Sequence, residues 1–172
     1  DSLGTFSGEI ERTDDALTTL RNKCFLAAKA AQSDLVVASE GSFGGHPSIF
    51  FAYANQELVM LKDFKNDLEI VAKEISLETN FNGQKISTET DLLTFAKKVN
   101  FPSHALILKN AEANFSLIYK GIQSESILLE KFYFILKNQD FAYVETDMRA
   151  MYNPTRMKRI GLLAKVMVLL TN

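Results

Sequence analysis

The sequence is short of the residue types that build several familiar kinds of site. Its one cysteine, Cys24, excludes an internal disulfide framework and a cysteine zinc site. Its two histidines, His46 and His104, are too few for a histidine-rich transition-metal centre. Positive charge is not in excess either, because nineteen basic residues face twenty-one acids, for a formal charge of -2. Such a balance gives no global field to attract a nucleic-acid backbone, so duplex nucleic acid is not an expected partner. No apolar run approaches the ~20 residues that span a bilayer. The opening DSLGTFSGEIER has neither the basic start nor the apolar centre of a signal peptide. The expectation is a protein of the reducing cytoplasm with no membrane partner.

What is present is the composition of a globular protein. Hydrophobic residues make up 47% of the 172 and charged residues 23%, outside the range in which chains stay disordered. A chain of this size buries roughly 70% of the surface its unfolded form exposes. One domain over residues 1–172 is expected. The chain starts at Asp1 rather than Met, which we read as the mark of a piece cut from a longer protein.

Apolar spacing predicts the elements. Leu17, Leu20, Cys24, Ala27, Ala28 and Ala31 form a helical stripe over 13–33, with Thr13 or Asp14 as N-cap. LVVAS at 35–39 reads as a strand buried on both faces, stopped by a glycine-rich loop at EGSFGGHP. An antiparallel meander follows, with turns at 55–56 and 65–67, and then a helix over 88–99. HALILKN and FSLIYKG form a hairpin, SESILLEKFYFILKN a helix, FAYVET a strand and 154–170 a last helix. In that helix Met157, Ile160, Leu163, Ala164, Met167 and Leu170 should face inward. Interleaved helices and hairpins predict an α/β fold, a mixed sheet with about four helices packed on it.

Two stretches carry candidate chemistry. In VETDMR the two-residue strand period puts Glu145 and Asp147 on one face, where two acids can share a divalent cation or divide acid and base roles. Asn153 is a suitable N-cap and Pro154 a suitable first helical residue. Arg156 then falls in the first helical turn, where the helix dipole disfavours a cation. Arg149, Arg156 and the backbone N–H groups after Asn153 would together clamp an anion, and that anion is either a ligand or Glu145 and Asp147 themselves. The second stretch, SEGSFGGHP, sets Glu40 at the end of a predicted buried strand, the place where open α/β sheets bind ligands. Its glycines permit close backbone approach, and Ser42 and His46 are candidate ligand contacts. It is no P-loop, lacking the lysine and its spacing. Ser103 and His104 are adjacent in sequence, which is not how a hydrolase triad is assembled. Cys24 lies on the apolar stripe and should be inert.

These motifs carry a resemblance. LGTFSGEIER, ASEGSFGGHP, TNF, FPSHALI and ETDMRAMYNPTRM resemble an uncharacterised bacterial family, a domain of unknown function, across nearly the whole chain. That resemblance implies a fold and no activity. The order of elements is also similar to that of the inosine and xanthosine triphosphatases, where a helix rich in small residues leads into a strand ending in acid and glycine. It implies magnesium ligands at Glu40 and Asp15, and a nucleotide-reading segment at MRAMYNPTR. The expectation is a metal-dependent hydrolase acting on a nucleotide or another phosphorylated small molecule. Glu40, Glu145 and Asp147 would be catalytic, and Glu40, Asp147 and Asp15 would hold Mg2+ or Mn2+. The rival expectation is a non-catalytic module that binds an anionic ligand or a protein partner, with the acids neutralised by protein cations.

Overall fold

The computed structural model describes residues 14–46 and 49–170, with side chains at 44–53 and 170 outside the description. Four helices and two sheets form the α/β fold, in the order α1 (Ala16–Ala31), β1 (Leu35–His46), β2 (Ile49–Asp63), β3 (Leu68–Ser76), β4 (Gly83–Ile86), α2 (Glu89–Lys98), β5 (Leu106–Ala111), β6 (Asn114–Ile122), α3 (Glu125–Leu136), β7 (Ala142–Thr146) and α4 (Pro154–Leu170). The strands divide between a three-stranded sheet, β1-β2-β3, and a four-stranded sheet, β4-β7-β5-β6. Every described pairing is antiparallel, so the expected mixed sheet is replaced by two antiparallel ones. Contacts within the chain sort the described residues into two units, one with residues 14–79 and again from Thr155, the other with Asn80–Pro154.

In the first unit the three-stranded sheet has a helix on each face. Leu58 and Met60 of β2, with Val36 of β1, meet Leu20 and Cys24 of α1. The alternate residues, Val59 of β2 and Ala72 of β3, meet Leu163 and Met167 of α4. The strand period of two accounts for this double-sided burial of one strand. Asp15 caps α1, its carboxylate accepting from the N–H groups of Leu17 and Thr18, so the expected caps at Thr13 and Asp14 are displaced. Its carboxylate also accepts from the Thr18 hydroxyl, so both of its oxygens serve the cap.

Three sequence expectations fail in β1 and β2. The glycine stretch is no loop, because β1 pairs with β2 residue by residue through Gly45, the register shifting only before His46. Nor is there a turn at 55–56: β2 is continuous, with Asn55 paired to Phe43 on one side and Ser76 on the other. The strand is half-buried rather than buried on both faces, since Leu35 and Val37 are exposed while Val36 is not. Antiparallel pairing, which tolerates one wet face, explains the alternation.

The second unit packs α2 and α3 on one face of the four-stranded sheet. Leu92 and Phe95 of α2 and Leu128 and Phe132 of α3 enclose Leu106, Leu108 and Val144. Thr88 caps α2 by accepting from the Asp91 N–H. The opposite face of β5 and β7 carries Lys109, Tyr143 and Glu145, because Lys109 pairs with Tyr143 and Ile107 with Glu145 in register.

Candidate functional site

In the second unit the acids of the ETDMR motif have protein partners. Asp147, just after β7, is wholly buried. Its carboxylate accepts from Arg149 Nε at 2.9 Å and Nη2 at 2.5 Å, and from the backbone N–H groups of Arg149 at 3.1 Å and Gly121 at 3.0 Å. The guanidinium lies 4.5 Å from the Tyr152 ring centre. Gly121 has φ +68, and a Cβ there would meet the Tyr152 ring at 2.8 Å, so glycine is required twice over. Asn153 donates to Asn80 Oδ1 at 2.9 Å, and Asn80 in turn donates to the Val99 carbonyl at the end of α2. Asn80 thus ties the motif to α2.

Glu145 pairs with Lys109, Nζ to Oε2 at 2.8 Å. Lys109 is almost fully buried, also donates to the Glu112 carbonyl at 2.8 Å, and faces the rings of Phe115 and Tyr143. Burial pushes the Glu145 carboxyl above its ordinary range, with Lys109 pulling the other way. Burial and the nearby Glu112 push the Tyr143 phenol up to about 12. Glu145 and Asp147 do lie close enough for Asp147 to raise the Glu145 carboxyl further. Each is nonetheless held by a separate cation.

In the first unit Arg156 is buried and forms a two-pronged pair with Glu57, Nε to Oε1 at 2.5 Å and Nη2 to Oε2 at 2.9 Å. The arginine faces neither Glu145 nor Asp147 in this pair, but an acid on β2 that motif reading passed over. Gly41, paired with Glu57, lies directly beneath: a Cβ there would fall 2.2 Å from Arg156 Nη2 and 2.8 Å from Glu57 Oε2. The close approach is why glycine sits inside a strand. Phe43, on the same face, presents its ring 5.2 Å from the guanidinium carbon. Asn55, next along that face, has a buried Oδ1 with no hydrogen-bond partner.

Glu40 stands on the opposite face of β1, toward α1, and meets Lys23 Nζ at 2.8 Å through Oε2 while Oε1 accepts from the Gly41 N–H. It is mid-strand, which removes the strand-end argument for a ligand there. Ser42 shares that face of β1 by strand period and is half-buried. The His46 side chain, Pro47 and the LGTFSGEIER stretch lie outside the described residues. Glu40 and Arg156 belong to one unit, and Glu145, Asp147, Arg149 and Asn153 to the other. Among the described residues no three of His, Cys, Asp and Glu group to hold a metal ion.

His104 touches Ser103, Nδ1 to Oγ at 3.0 Å, but the serine hydroxyl donates to the Asn100 carbonyl at 2.7 Å. The hydroxyl proton is directed away from the ring, opposite to what an activated nucleophile needs. Burial lowers the His104 pKa. Cys24 is buried and its thiol is pushed up by the same cause.

Glu57, Asn55 and Lys109 are the residues that motif reading missed. Their signal is phase, since Asn55 and Glu57 stand in step with Val59 and Leu61 along β2, and Lys109 in step with Ile107 along β5. No helix among the described residues is long and apolar enough to cross a membrane. A family model described as a domain of unknown function (DUF6671) matches residues 23–170, and the chain belongs to that family. No curated protein and no solved structure matches the chain.

Proposed function

From the pairing of the acids, we propose that the chain is a non-catalytic binding module for an anionic partner. One observation carries this reading. The three carboxylates expected to be catalytic each close on a protein cation: Glu40 on Lys23, Glu145 on Lys109, Asp147 on Arg149. A metal ion would have to compete with these cations for the carboxylate oxygens, and displacing Lys109, the buried one of the three, would leave its own charge uncompensated. The cytoplasmic setting belongs with this reading, in which Cys24 serves as an apolar core residue.

A magnesium-dependent hydrolase of nucleotides or phosphorylated small molecules is the second reading. Glu145 favours it, because burial raises its carboxyl while the side chain stays partly open near Tyr143. Incubation with nucleoside triphosphates and sugar phosphates, with and without magnesium, separates the two. The module reading expects no turnover and no magnesium-dependent shift in thermal unfolding. Magnesium-dependent turnover that disappears in Glu145→Gln would overturn it.

A further inference from the structure

The last helix has two sides of different use. Its inward side, Ile160, Leu163 and Met167, packs on the first sheet. Its outward side is also apolar, with Met157, Leu162, Val166, Val168 and Leu169 all exposed, Leu169 by 76%. No acid occurs anywhere in α4, whose charged residues are Arg156, Lys158, Arg159 and Lys165. Arg156 and Arg159 turn to Glu57 and Glu74 of the same unit. Lys158 and Lys165 are exposed.

Their placement decides what fits. At about 100° per residue, Lys158 and Lys165 fall on the side opposite Leu163 and Met167, straight away from the sheet. Leu162 and Leu169 stand one turn beyond each lysine, and Met157 and Val168 line the other flank. A helix that enters a bilayer puts apolar residues at its outermost line and cations at its rims. Here the cations hold the outermost line and the apolar residues flank it. A second α4 would bring lysine against lysine without an acid between them. An opposing surface must therefore offer carboxylates along its centre and apolar groups on both sides.

We infer that the outward face of α4 docks an acidic amphipathic helix of a protein partner, with Lys158 and Lys165 meeting its carboxylates and Leu162, Val166 and Leu169 its apolar side chains. This rests on the binding-module reading and names the surface and the chemistry of the partner. Charge sets register and encounter rate, and the apolar flanks supply the buried area.

The test uses the full chain and a labelled synthetic helix of leucine and glutamate at helical spacing, followed by fluorescence anisotropy. Binding should weaken as salt rises, fall about tenfold in Lys158→Glu/Lys165→Glu, and fall further in Leu162→Ser/Val166→Ser. A matched leucine and lysine helix should not bind. All substitutions are at exposed positions, and circular dichroism checks that each variant folds. Absence of binding, equal binding of the lysine helix, or indifference to charge reversal would overturn the inference. So would two other results: co-sedimentation with phosphatidylserine vesicles that is lost in the same variants, or dimerisation through this face in sedimentation velocity. Loss of the surface without magnesium-dependent turnover sinks this inference alone, whereas turnover sinks the module reading itself.

Discussion

Two acid–arginine pairs, one in each unit, are built from the same chemistry and work differently. Asp147 and Arg149 are two residues apart, and the arginine side chain remains 31% exposed while Asp147 also collects two backbone N–H groups. Glu57 and Arg156 are ninety-nine residues apart and both are buried, with Gly41 cleared to admit them. The first pair is a local clasp that shapes the chain after β7. The second is a long-range latch between β2 and α4. A charged segment can thus hold one arginine that closes a turn and another that joins distant elements.

The latch should be the harder to lose. Arg156→Ala leaves the Glu57 carboxylate buried without its partner and is expected to cost about 3–5 kcal/mol in urea unfolding. Replacing both, as Glu57→Leu/Arg156→Met, should recover most of that loss, and failure to recover would show that the pair does more than neutralise itself. Gly41→Ala should cost roughly 2–3 kcal/mol by pushing the guanidinium off the carboxylate. That cost should shrink in the Arg156→Ala background, and a double-mutant cycle reads the coupling. Asp147→Asn is expected to lose less, about 1–3 kcal/mol, because Arg149 can turn to solvent. Equal losses at Asp147 and Arg156 would erase the distinction between clasp and latch.

The smallest effect is a pH dependence in the second unit. Burial depresses His104 below its ordinary 6.5, so the unfolded chain binds the extra proton first. Stability is then complete above about 6.5 and declines as pH falls from there through the depressed folded value. In His104→Gln that decline should flatten, measured as urea midpoints at neutral and mildly acid pH.

Much of the fold was legible, and the failures have physical causes. The last helix begins and ends where its Asn-Pro start and apolar period placed it. Its inward face was misread at Met157, which is exposed, because Arg156 occupies that phase ahead of Ile160, Leu163 and Met167. Four- and three-residue steps from 156 to 167 mark the arginine as a core-facing residue, which a reading that sorts charge to the outside overlooks. Glu57 was hidden by the same rule, sitting in phase with Val59 and Leu61 on β2. The glycines at 41–45 suggested a loop because their usual reason is a turn, whereas Gly41 is a clearance for side chains from elsewhere. Partners so remote cannot be inferred from local pattern.

The order of the two units along the chain has a consequence for how the protein is made. β2 leaves the ribosome well before α4, and the residues of the second unit are translated in between. Until they have emerged, Glu57 has no arginine to meet, and the face of the first sheet bearing Val59 and Ala72 stays wet. The described residues of the second unit, Asn80 to Pro154, follow one another along the chain and can settle meanwhile, since neighbouring segments close at lower entropy cost than distant ones. Translation that stops short of Arg156 leaves a nascent chain with an uncompensated acid on one uncovered apolar face of the first sheet, the two features that the finished protein conceals.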